Sequence, residues 1–158
     1  MCHLKCPEYY EKKRLDEDYK FLKTIGYLGL IPFACGAIAS LNINFIPDII
    51  NDFAVLFSIH YASIILSFMG GVLWGFEISY SKLISKKIII LTLLPALWAA
   101  FAYFLPIRCF LLALGFIAIY QLDFTMVKEK KSPKWWLKLR SPLTGFAVIF
   151  LIIIGFNE

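Results

Sequence analysis

Charged residues are scarce in this chain and unevenly spread. They make up 17% of its 158 residues, against about 25% in a soluble globular domain. Whole blocks have none: no Asp, Glu, Lys or Arg lies between Phe53 and Phe76, a stretch long enough to cross a bilayer core, which takes ~20 apolar residues. Histidine is nearly missing too, with His3 and His60 alone. A haem held by two histidines would need a second one inside a span, which only a dimer sharing His60 would provide. Of the four cysteines, Cys35 and Cys109 fall in or beside apolar segments and read as small hydrophobes. Cys2, His3 and Cys6 cluster in the N-terminal tail, but no second ligand pair completes the four ligands of a zinc site. There is no G-x-S-x-G elbow, no H-E-x-x-H, no P-loop and no glycine-rich dinucleotide turn. No catalytic residue, metal or cofactor is therefore assigned. The charged opening residues are unlike a secretory signal, and their acidic members are unlike a mitochondrial transit peptide.

What is present is apolar. The chain is 60% hydrophobic with a mean hydropathy of +0.74, above the ~45–50% apolar content of soluble domains. The pattern predicts an all-α membrane protein, a bundle of five transmembrane helices behind a polar N-terminal tail over residues 1–21. In the tail, Leu15, Tyr19 and Leu22 have helical spacing and suit a surface-lying segment. The membrane domain covers 22–158, with spans at about 22–41, 53–76, 88–105, 109–124 and 142–156. Pro32 and Pro95 fall inside the first and third spans and are expected to kink them. The segments LGLIP (28–32) and LTLLP (91–95) echo each other weakly, as two copies of a parallel repeat would.

Lys and Arg are distributed one-sidedly across this plan. Every one except Arg108 falls in the tail, in the loop after the second span, or in the connection after the fourth. The positive-inside rule then orients the bundle with its N-terminus in and its C-terminus out. The net charge of +5 belongs to these short loops, which favours anionic lipid over nucleic acid as the partner. In the connection PKWWLKLRSP (133–142), Trp135 and Trp136 alternate with basic side chains. They read as an interfacial anchor on a short helix before the last span. Ser132-Pro133 is expected to start that helix and Ser141-Pro142 to start the span.

Three groups of residues are candidates for a role. Ser63, Ser67, Gly71 and Gly75 recur every fourth residue and, with Gly70, suggest a helix-packing face. His60, Tyr61, Ser67 and Trp74 would serve a small-molecule or lipid site if a cavity near the midplane gathers them beside Pro32 and Pro95. His60, as an intramembrane ionisable group, suits a ligand or proton role or a hydrogen bond to a neighbouring helix. Glu77, Gln121, Asp123 and Arg140 fall at the cytoplasmic ends of their spans, where an Asp123–Arg140 pair would lock the last helix to the bundle. An enzyme would need these carboxylates in a cleft with a reactive partner.

GLIPF (29–33), YASIILSFMGGVLWG (61–75), LLP (93–95), LALGF (112–116) leading to Gln121-Leu122-Asp123, and PKWWLKLRSPLT (133–144) resemble the DUF3429 (transmembrane protein 69) family. The resemblance spans about residues 22–156 and is most specific around Gly70-Gly71 and Trp74-Gly75. It implies a small multi-pass protein of a bacterial or mitochondrial inner membrane with no established activity. Where members carry a histidine before the motif tryptophan, this chain has Leu73. The expected role is non-enzymatic: packing with, or assisting assembly of, other membrane proteins, a respiratory complex being one host, or self-association as a homo-oligomer. A small-molecule or lipid carrier is the alternative.

Overall fold

The computed structural model describes residues 6–41, 47–80 and 86–158, all of whose regular structure is helical. Cys2, His3 and the loop segments 42–46 and 81–85 lie outside the described residues, as does the side chain of Cys6. Among the described residues six helices form: α1 (Cys6–Leu28), α2 (Ile31–Ser40), α3 (Asp48–Tyr80), α4 (Lys86–Tyr103), α5 (Arg108–Lys128) and α6 (Lys134–Asn157). Five segments among the described residues are long and apolar enough to span a membrane, α1 and α2 together supplying the first, Glu17–Ser40.

The first span is interrupted between α1 and α2. α1 ends at Leu28, and Pro32 sits in the first turn of α2. That position tolerates proline because its missing N–H would have no helical partner. Pro95 behaves differently: α4 continues through it, leaving the Leu91 carbonyl without its usual i+4 donor. Nor does Ser141-Pro142 open a helix. α6 runs unbroken from Lys134 to Asn157 with Pro142 inside it, so residues 134–141 and the last span form one rod. At its start Pro133 itself is the N-cap, with extended backbone, one position later than the sequence signal implied. The Ser132 hydroxyl makes no capping bond.

α3 is the longest helix and the centre of the bundle, packed on α2, α4 and α5. Its inward face is Ile59, Ala62, Leu66, Met69, Gly70, Leu73 and Glu77, a three-four spacing that keeps a helix seam facing one partner. Phe33, Leu112, Phe116, Leu151 and Ile154 complete the core. Small residues set the closest approaches. A side chain at Gly36 would collide with Ser58 of α3, and one at Gly70 with the Thr92 carbonyl of α4 beside the Pro95 ring. Gly115 leaves room for Trp98, whose indole N–H crosses from α4 to the Leu111 carbonyl of α5 at 2.8 Å. Within the apolar windows only 17–39% of residues are buried inside the molecule. The remaining apolar surface is far more than a soluble monomer exposes and is what a bilayer would cover.

Candidate functional site

The densest polar arrangement lies where α3 and α5 end and α6 begins. Asp123 is buried on α5 and accepts two hydrogen bonds from α6. The Trp136 indole N–H donates to Oδ1 at 2.7 Å, and Arg140 Nε donates to Oδ2 at 3.1 Å. Positions 136 and 140 are one turn apart, so both donors leave the same helix face. The guanidinium also lies over the Trp136 ring, 5.8 Å from its centroid, and Phe76 of α3 meets that ring edge-on at 5.1 Å. The expected Asp123–Arg140 pair is therefore present, and Trp136 is its third member.

Glu77 is fully buried on α3 and pairs with Lys131 at 3.3 Å. The turn after α5 delivers this lysine. Lys130 adopts φ 60°, its N–H reaches the Val127 carbonyl at 3.1 Å, and the Lys131 N–H reaches Met126 at 2.8 Å. That is a Schellman C-cap with lysine where glycine is usual. Lys131 also contacts Glu129 at 3.0 Å. The Glu129 carboxylate, and Glu77 beyond it, hold the ammonium protonated above its ordinary range, against partial desolvation. Gln121 does not join this cluster. It is exposed, on a groove of about 700 Å³ between α4 and α5 lined by Leu94, Pro95, Trp98, Leu114 and Gly115 among others.

The four residues expected around one midplane cavity are dispersed. His60 is exposed, its ring edge-on to Tyr103 at 5.3 Å. Trp74 is also exposed. The Ser67 hydroxyl is spent on the Ser63 carbonyl at 2.9 Å, within its own helix. Tyr61 borders a cavity open at one side, about 250 Å³ in volume, with its ring against Phe33 at 5.5 Å. The small-residue stripe divides as well. Gly70 packs on α4; Ser63 and Ser67 are half-buried; Gly71 and Gly75 are exposed, with no described residue of another element beside them. Trp135 is exposed beside Tyr19, 6.1 Å between ring centroids, whereas Trp136 is turned into the bundle.

At the opposite end Arg108 is ion-paired with Glu158, and Cys109 contributes a 3.3 Å contact to the same carboxylate. Sequence reasoning missed Lys131 and the buried polar side chains Asn51, Ser58 and Thr144. Each lies in a run whose neighbours do not distinguish it.

Apolar helices long enough to span, joined by buried ion pairs at one end, define a multi-pass helical membrane protein. The chain belongs to the DUF3429 family: that family's model, described as a protein of unknown function, matches residues 19–156. No curated protein and no solved structure matches the chain.

Proposed function

We propose that this is a non-enzymatic protein of a bacterial or mitochondrial inner membrane, N-terminus in and C-terminus out, that packs against a transmembrane helix of another membrane protein. The observation carrying this is the outer face of α3. Ile64, Phe68, Gly71, Gly75 and Ile78 are all exposed and follow a four-three spacing, the repeat by which two helices keep one seam in contact. Among the described residues nothing lies within 4 Å of a side chain added at Gly71 or Gly75. Flanked by Phe68 and Ile78, they form a notch into which a second helix backbone can close, as small-xxx-small faces allow. Lipid tails would fill the same notch without gaining that contact.

The orientation rests on the distribution of Lys and Arg, which leaves Arg108 alone on the outer side. With Trp135 at headgroup level, the first turns of α6 would be the interfacial anchor, continuous with the span. Anionic lipid suits the basic loops at that end.

Leucine at both Gly71 and Gly75 tests the partner reading, because the open space there leaves the monomer unaffected. In mild detergent, migration as a larger complex that is lost in the double variant supports it. A wild-type monomer with nothing associated removes it, and a larger species containing only this chain replaces it with a homo-oligomer.

A further inference from the structure

The cavity beside Tyr61 carries a second, independent reading. Helices α1, α2, α3, α5 and α6 enclose it, and its walls are apolar and aromatic, Phe33, Met69 and Phe116 among them. Ile25 and Phe68 also line it and are well exposed, so its mouth opens on the lipid-facing surface. Two polar side chains from α6 complete the lining: Arg140 and Thr144, 5% and 6% exposed. One turn separates them, which puts both on the same face of the helix.

Both carry a buried polar atom without a partner among the described residues: Arg140 Nη2 and Thr144 Oγ1. Among the described residues Arg140 is engaged through Nε, on Asp123, and through its contact with the Trp136 ring. Buried donors left without acceptors are costly, and native proteins rarely keep them. Two on consecutive turns of one helix, both lining one cavity, point to an acceptor that arrives from outside the chain.

Charge selects its class. Among the described residues Arg140 alone is charged in the cavity lining, and the Asp123 carboxylate already balances it at 3.1 Å. An anionic head would add an uncompensated charge in a low-dielectric site. A neutral carbonyl oxygen supplies the missing acceptor without one. We propose that this cavity binds a neutral, carbonyl-headed apolar molecule drawn from the bilayer, its oxygen accepting from Arg140 Nη2 and Thr144 Oγ1 and its tail leaving past Ile25 and Phe68. The volume of about 250 Å³ is just below the usual range for ligand pockets, ~300–1,000 Å³, and suits a head with the first part of a chain.

Three probes of equal chain length test this on the purified full chain in detergent: methyl dodecanoate, dodecanoate and dodecane. Methyl dodecanoate is expected to raise the thermal unfolding midpoint and to shift its carbonyl stretching band to lower wavenumber, both lost in Thr144→Val and Arg140→Lys. Valine preserves the threonine shape and removes only a hydroxyl that has no partner, so that variant remains informative if Arg140→Lys fails to fold. Equal stabilisation by dodecane would overturn the proposal in favour of simple cavity filling. Stronger stabilisation by dodecanoate would overturn it in favour of an anion site. An unchanged response in Thr144→Val would remove the assigned contact.

Discussion

The indole N–H of Trp136 donates to the buried carboxylate of Asp123 at 2.7 Å, tying the first turn of α6 to the last turns of α5. Arg140 completes the contact at 3.1 Å. Helices that pack in lipid gain little from hydrophobic burial against each other, because the tails are as apolar as the side chains. Polar links of this kind then carry much of the register between α5 and α6. Asp123→Asn should leave the guanidinium buried without its counter-charge and destabilise the bundle by about 3–5 kcal/mol. Trp136→Phe should cost about 1.5–3 kcal/mol, since the ring contact with Phe76 survives and one hydrogen bond to a charged group is lost. Unfolding in mixed micelles measures both; equal costs would show that the hydrogen bond, not the charge, is what matters.

Adjacent glycines should respond in opposite ways. Gly70→Ala drives a methyl group into the Thr92 carbonyl, backbone that cannot rotate away, at an overpacking cost of about 1–3 kcal/mol. Gly71→Ala meets open space and should leave the isolated monomer as stable as before or slightly more so, alanine being the better helix former. The same micelle unfolding compares them, and similar losses in both would contradict the packing of α3 on α4.

The turn after α5 is a third test. Lys130 occupies the left-handed region with φ 60°, where a β-carbon is penalised and glycine is not. Lys130→Gly should stabilise the protein by up to about 1 kcal/mol while retaining the 3.3 Å pair between Lys131 and Glu77. A loss of stability would mean that the Lys130 side chain has a contact of its own.

Lys131→Met should destabilise by about 1–3 kcal/mol, less than a fully buried pair, because the lysine is 22% exposed while Glu77 is enclosed. Its contribution has a defined pH window. Glu129 and then Glu77 raise the lysine pKa in the folded state, so the stabilisation is complete below the unfolded value of about 10.4 and falls as pH rises through the folded one. Wild type and variant should therefore converge as pH rises through the alkaline range, where the ammonium is lost; a difference that persists unchanged there would contradict the assignment.

Much of this fold was legible because lipid simplifies the code. Uncharged length gave the spans, and α3, α4 and α5 extend no more than a few residues beyond or short of the expected limits. The Asp123–Arg140 pair was readable because charges at span ends have few alternatives. The stripe was harder. Residues four apart on a helix advance roughly 40° around it each time, since a turn takes 3.6 residues. The series Ser63, Ser67, Gly71, Gly75 therefore winds from the half-buried side to the exposed one, while the true seam alternates threes and fours. His60, Tyr61 and Trp74 are near in sequence yet leave α3 in different directions, so no single cavity gathers them. Prolines misled for a related reason: a sequence signal for helix starting is also compatible with a helix already formed, and α6 passes through Pro142. Lys131 was invisible because only the Schellman turn, with an uncommon lysine at its left-handed position, aims it at Glu77.

The outward seam of α3 is tested most directly by photocrosslinking in the native membrane. A photoreactive residue at position 75 should give a discrete adduct with a second membrane protein, and the same residue at 149, on the exposed side of α6, should give lipid adducts only. Lipid adducts alone at both positions would contradict the account.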